Sequence, residues 1–276
     1  MVRPSALRRW NIAYSNVFRA VHQREPRLEL GEILDLRLAF YLRLLAEAGL
    51  VDKGGVLLDL GAGMSWLGPM ASQLGLKVAL VDDFGGGGGI DIADRSPSLR
   101  LLNVFREKLG VQIVEQDLLD QPLPFPDESV DAVTCFHSLE HWHQSPKRLF
   151  KEIRRVLHNG GYLFIATPNA VNLRKRFSVL FGRTNLCQLE EWYDSDLGFR
   201  GHVREPVVAD LKNLVLWNRF RLIAVHGRNF IGADTTALPW LPRPVMRRMV
   251  EMSDGILRLF PTLCSDIHVV AKKIEN

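Results

Sequence analysis

The sequence predicts a doubly wound α/β fold, with helices on both faces of a largely parallel sheet. Two observations carry this. Short apolar runs alternate with helical patterns from Gly55 to Ala166, as successive βαβ units do. The first run, Val56-Leu57-Leu58-Asp59-Leu60, leads into Gly61-Ala62-Gly63. That is a buried strand turning sharply at the sheet edge where open α/β folds place a ligand.

Taken in order, residues 5–24 mix apolar positions (Trp10, Tyr14, Val17, Phe18) with basic ones and predict one or two short helices, interrupted at Glu25-Pro26. From Leu28 to Ala48, Leu30, Leu34, Leu38, Tyr41 and Leu45 form one stripe, an amphipathic helix on the sheet edge that stops at Gly49. Strand one spans Gly55 to Leu60, a helix follows from Ser65 to about Leu74, and strand two runs from Lys77 to Val81, closing on Asp82-Asp83. The glycines from Gly85 to Gly89 read as a flexible insertion, with Asp83 a solvated neighbour. Ser96-Pro97 and Ser145-Pro146 read as hydroxyl caps, each followed by proline at the first helical position. Strands three to five are Val111–Glu115, Ser129–Phe136 and Tyr162–Ala166. Beyond Pro168 the pattern loosens into a helix over 172–181, irregular chain over 182–205 and a helix from Pro206 to Asn218. A sixth strand follows from Phe220, then a long insertion over 227–264 and a last strand from Asp266 to Ala271.

The bulk numbers narrow the classes. The net charge of +4 is too small to imply nucleic acid, though it suits an anionic substrate or surface. Three dispersed cysteines, Cys135, Cys187 and Cys264, argue against a disulfide scaffold and for a reducing cytoplasm. The sequence has no signal-peptide core and no run of about 18 apolar residues.

The glycine pattern selects among nucleotide ligands. After Gly63 the residue expected to be a third glycine for dinucleotide binding is Trp66, with Gly68 further on, and no G-x-x-x-x-G-K-[ST] occurs. The segments LLDLGAG (57–63), LVDD (80–83), EQDLLDQPLPFPDESVDAV (115–133), CFHSLEHW (135–142) and RRVLHNGGYLFIATPN (154–169) resemble, in order and spacing, the class I S-adenosylmethionine-dependent methyltransferases. The resemblance implies a Rossmann-like seven-stranded sheet whose last strand is antiparallel. It also implies a methyltransferase domain over 50–276 after an N-terminal helical extension (1–49), with substrate-side insertions at about 170–205 and 227–264. The implied cofactor is S-adenosyl-L-methionine. Asp59, Gly61, Ala62 and Gly63 are expected around its methionine portion, Asp82 on the ribose hydroxyls, Asp117 on the adenine amino group with Leu118 beside it, and His137 between cofactor and acceptor.

The acceptor side is read more coarsely. His137, Glu140, His141 and His143 cluster after strand four, and His137 and His141 would share a face if that segment were helical. His137 is the first choice for a general base, with His202 (in Gly201-His202-Val203-Arg204) and His141 as further catalytic candidates. A similar position in the ubiquinone-pathway O-methyltransferases reads acidic-x-x-Glu-His, a pattern associated with a divalent metal. Here His137 replaces the first acid and the cluster offers one carboxylate, so no metal is expected. The expected reaction is O-methylation of a sugar, glycan-linked or secondary-metabolite acceptor. The alternatives are C- or N-methylation of a small or lipid-linked substrate, or a non-catalytic cofactor-binding module. Residues 240–260 carry Met246, Met249, Met252 and Ile256 among Arg243, Arg247 and Arg248. They read as a core or homodimer face, or as peripheral membrane contact.

Overall fold

The computed structural model describes residues 4–26, 36–85, 95–187, 189–195, 199–229 and 243–275. The N-terminal segment forms one helix, α1 (Pro4–His22), followed by α2 (Leu36–Glu47) and the single turn α3 (Leu50–Lys53). Residues 28–35 of the predicted second helix lie outside the described part. The doubly wound portion runs β1 (Val56–Leu60), α4 (Leu67–Gln73), β2 (Lys77–Asp82), α5 (Ser96–Leu109), β3 (Gln112–Glu115), β4 (Val130–Phe136), α6 (Lys147–Val156) and β5 (Leu157–Pro168). The remainder of the chain adds α7 (Leu173–Leu180), α8 (Leu189–Tyr193), α9 (Val208–Trp217), β6 (Phe220–Arg228), α10 (Arg243–Leu257) and β7 (Asp266–Lys273). Three local expectations change. Ser96 lies inside α5 with Arg95 at its N-cap, Pro146 rather than Ser145 stands at the N-cap of α6, and the segment read as irregular holds α8.

All seven strands form one sheet in the order β3-β2-β1-β4-β5-β7-β6. β1 to β5 pair in parallel, whereas β7 runs antiparallel to both β5 and β6. Side chains alternate across the sheet as strand geometry requires. Leu57, Val78 and Leu80 enter a core built with α1, α2, α4 and α5. Leu58, Ala79 and Val81 face the opposite way, onto α6 and α9. Chain order reverses at β1, whose neighbours are β2 and β4, so the crevice above the carboxyl ends of these strands is the topological switch point.

Two helices brace that crevice. In α1, Tyr14, Phe18 and His22 surround Trp66 at centroid distances of 5.8, 6.4 and 6.0 Å, which fixes the loop directly after Gly63. In α2, Tyr41 stacks on Phe136 at 4.0 Å, which steadies the residue before His137. Among the described residues, no helix is long and apolar enough to cross a membrane.

Candidate functional site

The crevice begins at two glycines that nothing else could replace cheaply. Gly61 has φ +66°, and a Cβ there would sit 1.8 Å from Ser138 Oγ. Gly63 has φ +50°, and its N–H donates to Asp82 Oδ2 at 2.9 Å. The N–H of Phe84 donates to the other oxygen, Oδ1, at 2.7 Å. Asp82 is thereby pinned at the end of β2 with one backbone donor on each oxygen. Each oxygen keeps a lone pair for a further donor, the requirement for holding a ribose diol. Burial pushes its carboxyl up to about 6, against the pull of those two N–H groups.

Asp59 lies deeper, 2% exposed, and its Oδ1 accepts the Thr134 hydroxyl at 2.6 Å. Burial raises its carboxyl to about 7; Thr134 opposes the shift and the charge of Asp82 adds to it. At the third strand end Asp117 is exposed, its Oδ1 accepting the Leu119 N–H at 2.8 Å, while Leu118 is buried beside it.

His137 follows β4 in the left-handed region, φ +52°, held by its own N–H donating to Ala166 O at 2.8 Å. A non-glycine residue there costs on the order of 1 kcal/mol and persists only where its surroundings enforce it. Its ring sits between two buried carboxyl groups: Nδ1 is 3.4 Å from Glu140 Oε1, and Nε2 is 4.0 Å from Asp266 Oδ1. Burial raises the Asp266 carboxyl, with His137 and Arg37 pulling the other way. The segment after His137 is not an α-helix but a single 3-10 turn, Leu139–His141. His141 therefore does not pair with His137. Its Nδ1 meets Arg200 O at 2.7 Å, and its ring lies edge-on to His202 at 4.9 Å.

Residues 199–205 are stitched across this turn. Glu140 O accepts the N–H groups of Val203 and Arg204 at 2.8 and 3.2 Å, and His143 Nε2 meets Phe199 O at 2.6 Å. Arg200 reaches on to Asp83, 3.0 Å from its Oδ2, so Asp83 is an ion-pair partner and not merely solvated. Burial raises the Asp83 carboxyl, but the Gly85 N–H and Arg200 outweigh it and hold the group below its usual range. His202 Nδ1 meets Glu205 Oε1 at 2.8 Å, and Lys175 pairs with the other Glu205 oxygen. The Glu205 bond raises the imidazole pKa, ahead of the opposing effect of burial.

The structure thus gathers His137, His141 and His202 around Glu140, and sets Gly63 against Asp82 at the ends of β1 and β2, with Asp59 buried below. Sequence reasoning did not single out Thr134, Asp266 or Arg200. Asp266 could have been found only through the antiparallel pairing that sets it opposite Pro168. Gly86–Gly89, Trp240 and the side chains of Arg243, Met246, Arg247 and Val250 lie outside the described part.

The chain is similar to methyltransferases in sequence and in fold. Residues 58–165 match the family model of a methyltransferase domain. The chain is 28% identical over 204 residues to a malonyl-[acyl-carrier protein] O-methyltransferase of Marinomonas sp. (strain MWYL1), covering 71% of this chain and 69% of that one. It is 31% identical over 157 residues to the uncharacterized protein YafS of Escherichia coli (strain K12), covering 53% of this chain and 59% of the other. Among solved structures, an S-adenosylmethionine dependent methyltransferase from Mesorhizobium loti superimposes with a TM-score of 0.52 at 18% identity. That alignment covers 80% of this chain and 91% of the other, and it shows a shared fold.

Proposed function

The chain is a class I S-adenosylmethionine-dependent methyltransferase, and from that premise we propose that it methylates an oxygen, with His137 as the base. The acceptor we assign is a hydroxyl of a sugar, glycan-linked or secondary-metabolite molecule. Asp82 accepts the two ribose hydroxyls of the cofactor, Asp117 the adenine amino group beside the Leu118 backbone, and Asp59 with Gly61–Gly63 lines the methionine portion. The acceptor oxygen displaces the sulfonium sulfur from the methyl carbon in line. The new C–O bond forms as the C–S bond breaks, S-adenosyl-L-homocysteine leaves, and the hydroxyl proton passes to the imidazole.

The observation that carries this reading is the placement of His137 between Glu140 and Asp266, 3.4 and 4.0 Å away. Carboxyl groups on both sides hold the ring in place to take a proton from an acceptor hydroxyl. The name of the Marinomonas relative, an O-methyltransferase, supports oxygen as the accepting atom. Against an acceptor panel followed by mass spectrometry, His137→Ala is expected to lower turnover about 10²–10⁴-fold while S-adenosyl-L-homocysteine affinity stays within a factor of about three. Unchanged turnover removes the base and favours a carboxylate acceptor, which needs none.

The finer partner assignment is peripheral contact with an anionic lipid surface, which gives access to a lipid-linked acceptor from a cytoplasmic enzyme. Val245, Met249, Met252 and Ile256 on α10 are exposed, with Arg248 and Arg258 exposed nearby. Co-sedimentation with anionic vesicles at low salt is the expected result. A protein that stays in the supernatant, or a sizing profile in which α10 pairs two copies, overturns it.

A further inference from the structure

The Glu140–His141–His202 cluster has a property that base catalysis does not use. Glu140 is fully buried, and among the described residues neither of its carboxylate oxygens has a hydrogen-bond partner; His137 Nδ1 lies 3.4 Å from Oε1. Leaving a carboxylate in that state costs several kcal/mol unless a cation compensates it. His141 and His202 come within reach of Glu140 although His202 lies far along the chain. One ligand atom from each of the three residues lies within 4.8 Å of the others.

The two imidazoles are also fixed in the same sense. His141 Nδ1 faces a carbonyl oxygen, Arg200 O, at 2.7 Å, and His202 Nδ1 faces a carboxylate oxygen, Glu205 Oε1, at 2.8 Å. Both neighbours can only accept, so each Nδ1 carries the proton and each neutral ring keeps its lone pair on Nε2. A carbonyl or carboxylate behind the far ring nitrogen is the usual outer support of a metal-bound histidine. Glu205 is itself clamped by Lys175, and the backbone of Val203 and Arg204 is tied to the carbonyl of Glu140. The support is therefore built into the same segment that delivers His202.

We propose that Glu140, His141 and His202 bind a divalent transition-metal ion of the zinc class. Two imidazoles and one carboxylate suit such an ion, whereas magnesium and calcium require mostly oxygen ligands. With the three ligand atoms no more than 4.8 Å apart, an ion among them lies at most about 2.8 Å from each. Inward shifts of at most about 0.7 Å bring the ligands to bond lengths of about 2.0–2.2 Å. His141 and His202 are only partly buried, which leaves coordination positions for water or an oxygen ligand. The site opposes the sequence expectation of no metal, which counted carboxylates in one segment and missed the histidine supplied by another. It does not depend on which atom is methylated, and it reserves His141 and His202 for the ion.

The test is metal binding by the full chain after chelator treatment. Titration with Co²⁺ is expected to give one equivalent bound, with visible d–d absorption, displaced by Zn²⁺. X-ray absorption on the Co²⁺ protein is expected to count two imidazole ligands. Glu205→Gln removes the outer support of His202 and is expected to weaken Co²⁺ binding about 10–100-fold; His202→Ala is expected to weaken it further. Retained S-adenosyl-L-homocysteine binding in both variants reports an intact fold and tests the cofactor reading separately. No stoichiometric binding, a spectrum with fewer than two imidazoles, or unchanged affinity in His202→Ala overturns the proposal. The ligand count on the unsubstituted protein decides the matter even where a variant fails to fold.

Discussion

Asp59 is the side chain whose charge the fold controls most directly. Burial lifts its carboxyl from the ordinary 3.8 to about 7, so the folded chain holds this proton more tightly than the unfolded one. The stabilisation is complete below about pH 4 and is lost as the pH rises through about 7. Asp59→Asn keeps an oxygen for the Thr134 hydroxyl and removes the titration. Its unfolding free energy relative to wild type is therefore expected to rise by up to roughly 4 kcal/mol between about pH 4 and pH 8. Urea titrations at the two pH values measure this, and a constant difference contradicts it. At this scale the sequence was uneven. Gly61 and Gly63 were legible because a sharp turn at a strand end favours glycine, whereas Asp59 and Asp82 were picked out only by the family resemblance. Thr134 and Asp266 were silent, because a hydroxyl or an acid within an apolar strand pattern carries no signal until its neighbouring strand is known.

Elements decide what those side chains meet. The expected helical pairing of His137 with His141 failed because the chain leaves β4 through one left-handed residue and then forms only a 3-10 turn. That turn frees His141 to meet the segment 199–205. Arg200 completes the connection by crossing to Asp83, beside the acid at the end of β2. Both partners are about two-fifths exposed, so the pair itself contributes at most about 1 kcal/mol to stability. Arg200→Ala is expected to change the melting temperature little but to raise the acceptor KM several-fold, since the segment 199–205, proposed to face the acceptor, loses its tie to Asp83. Steady-state kinetics with cofactor and acceptor varied separately distinguish this from a loss of cofactor affinity. An unchanged acceptor KM removes Arg200 from that role. The α/β elements from 55 to 168 were readable from periodicity alone. The segment 182–205 was not, because tertiary hydrogen bonds rather than hydrophobic spacing hold it.

For the molecule as a whole, the seven-stranded sheet and its antiparallel β7 agree with what the family resemblance implied, while the strand order comes from the structure. Periodicity could not have supplied that order, since a strand does not encode its neighbours. The N-terminal helices are structural members of the core: Trp10, Tyr14 and Val17 of α1 are buried with Met70 and Phe105. Trp10→Ala is expected to cost about 3–5 kcal/mol, read as a lower urea midpoint with little change in slope. A midpoint equal to wild type shows that α1 can be shed without loss.

The sheet order has a consequence for synthesis. β7 is made last of the seven strands, yet it lies between β5 and β6. Until residues 266–273 leave the ribosome, β5 presents an open hydrogen-bonding edge and β6 has no strand to pair with. Open edges of this kind invite pairing with other chains. Asp266 arrives at the start of the same strand, so closure of the sheet and delivery of the second carboxyl group to His137 are a single event. A nascent chain stalled within the 227–264 insertion would carry the whole glycine-turn half of the crevice and still have neither.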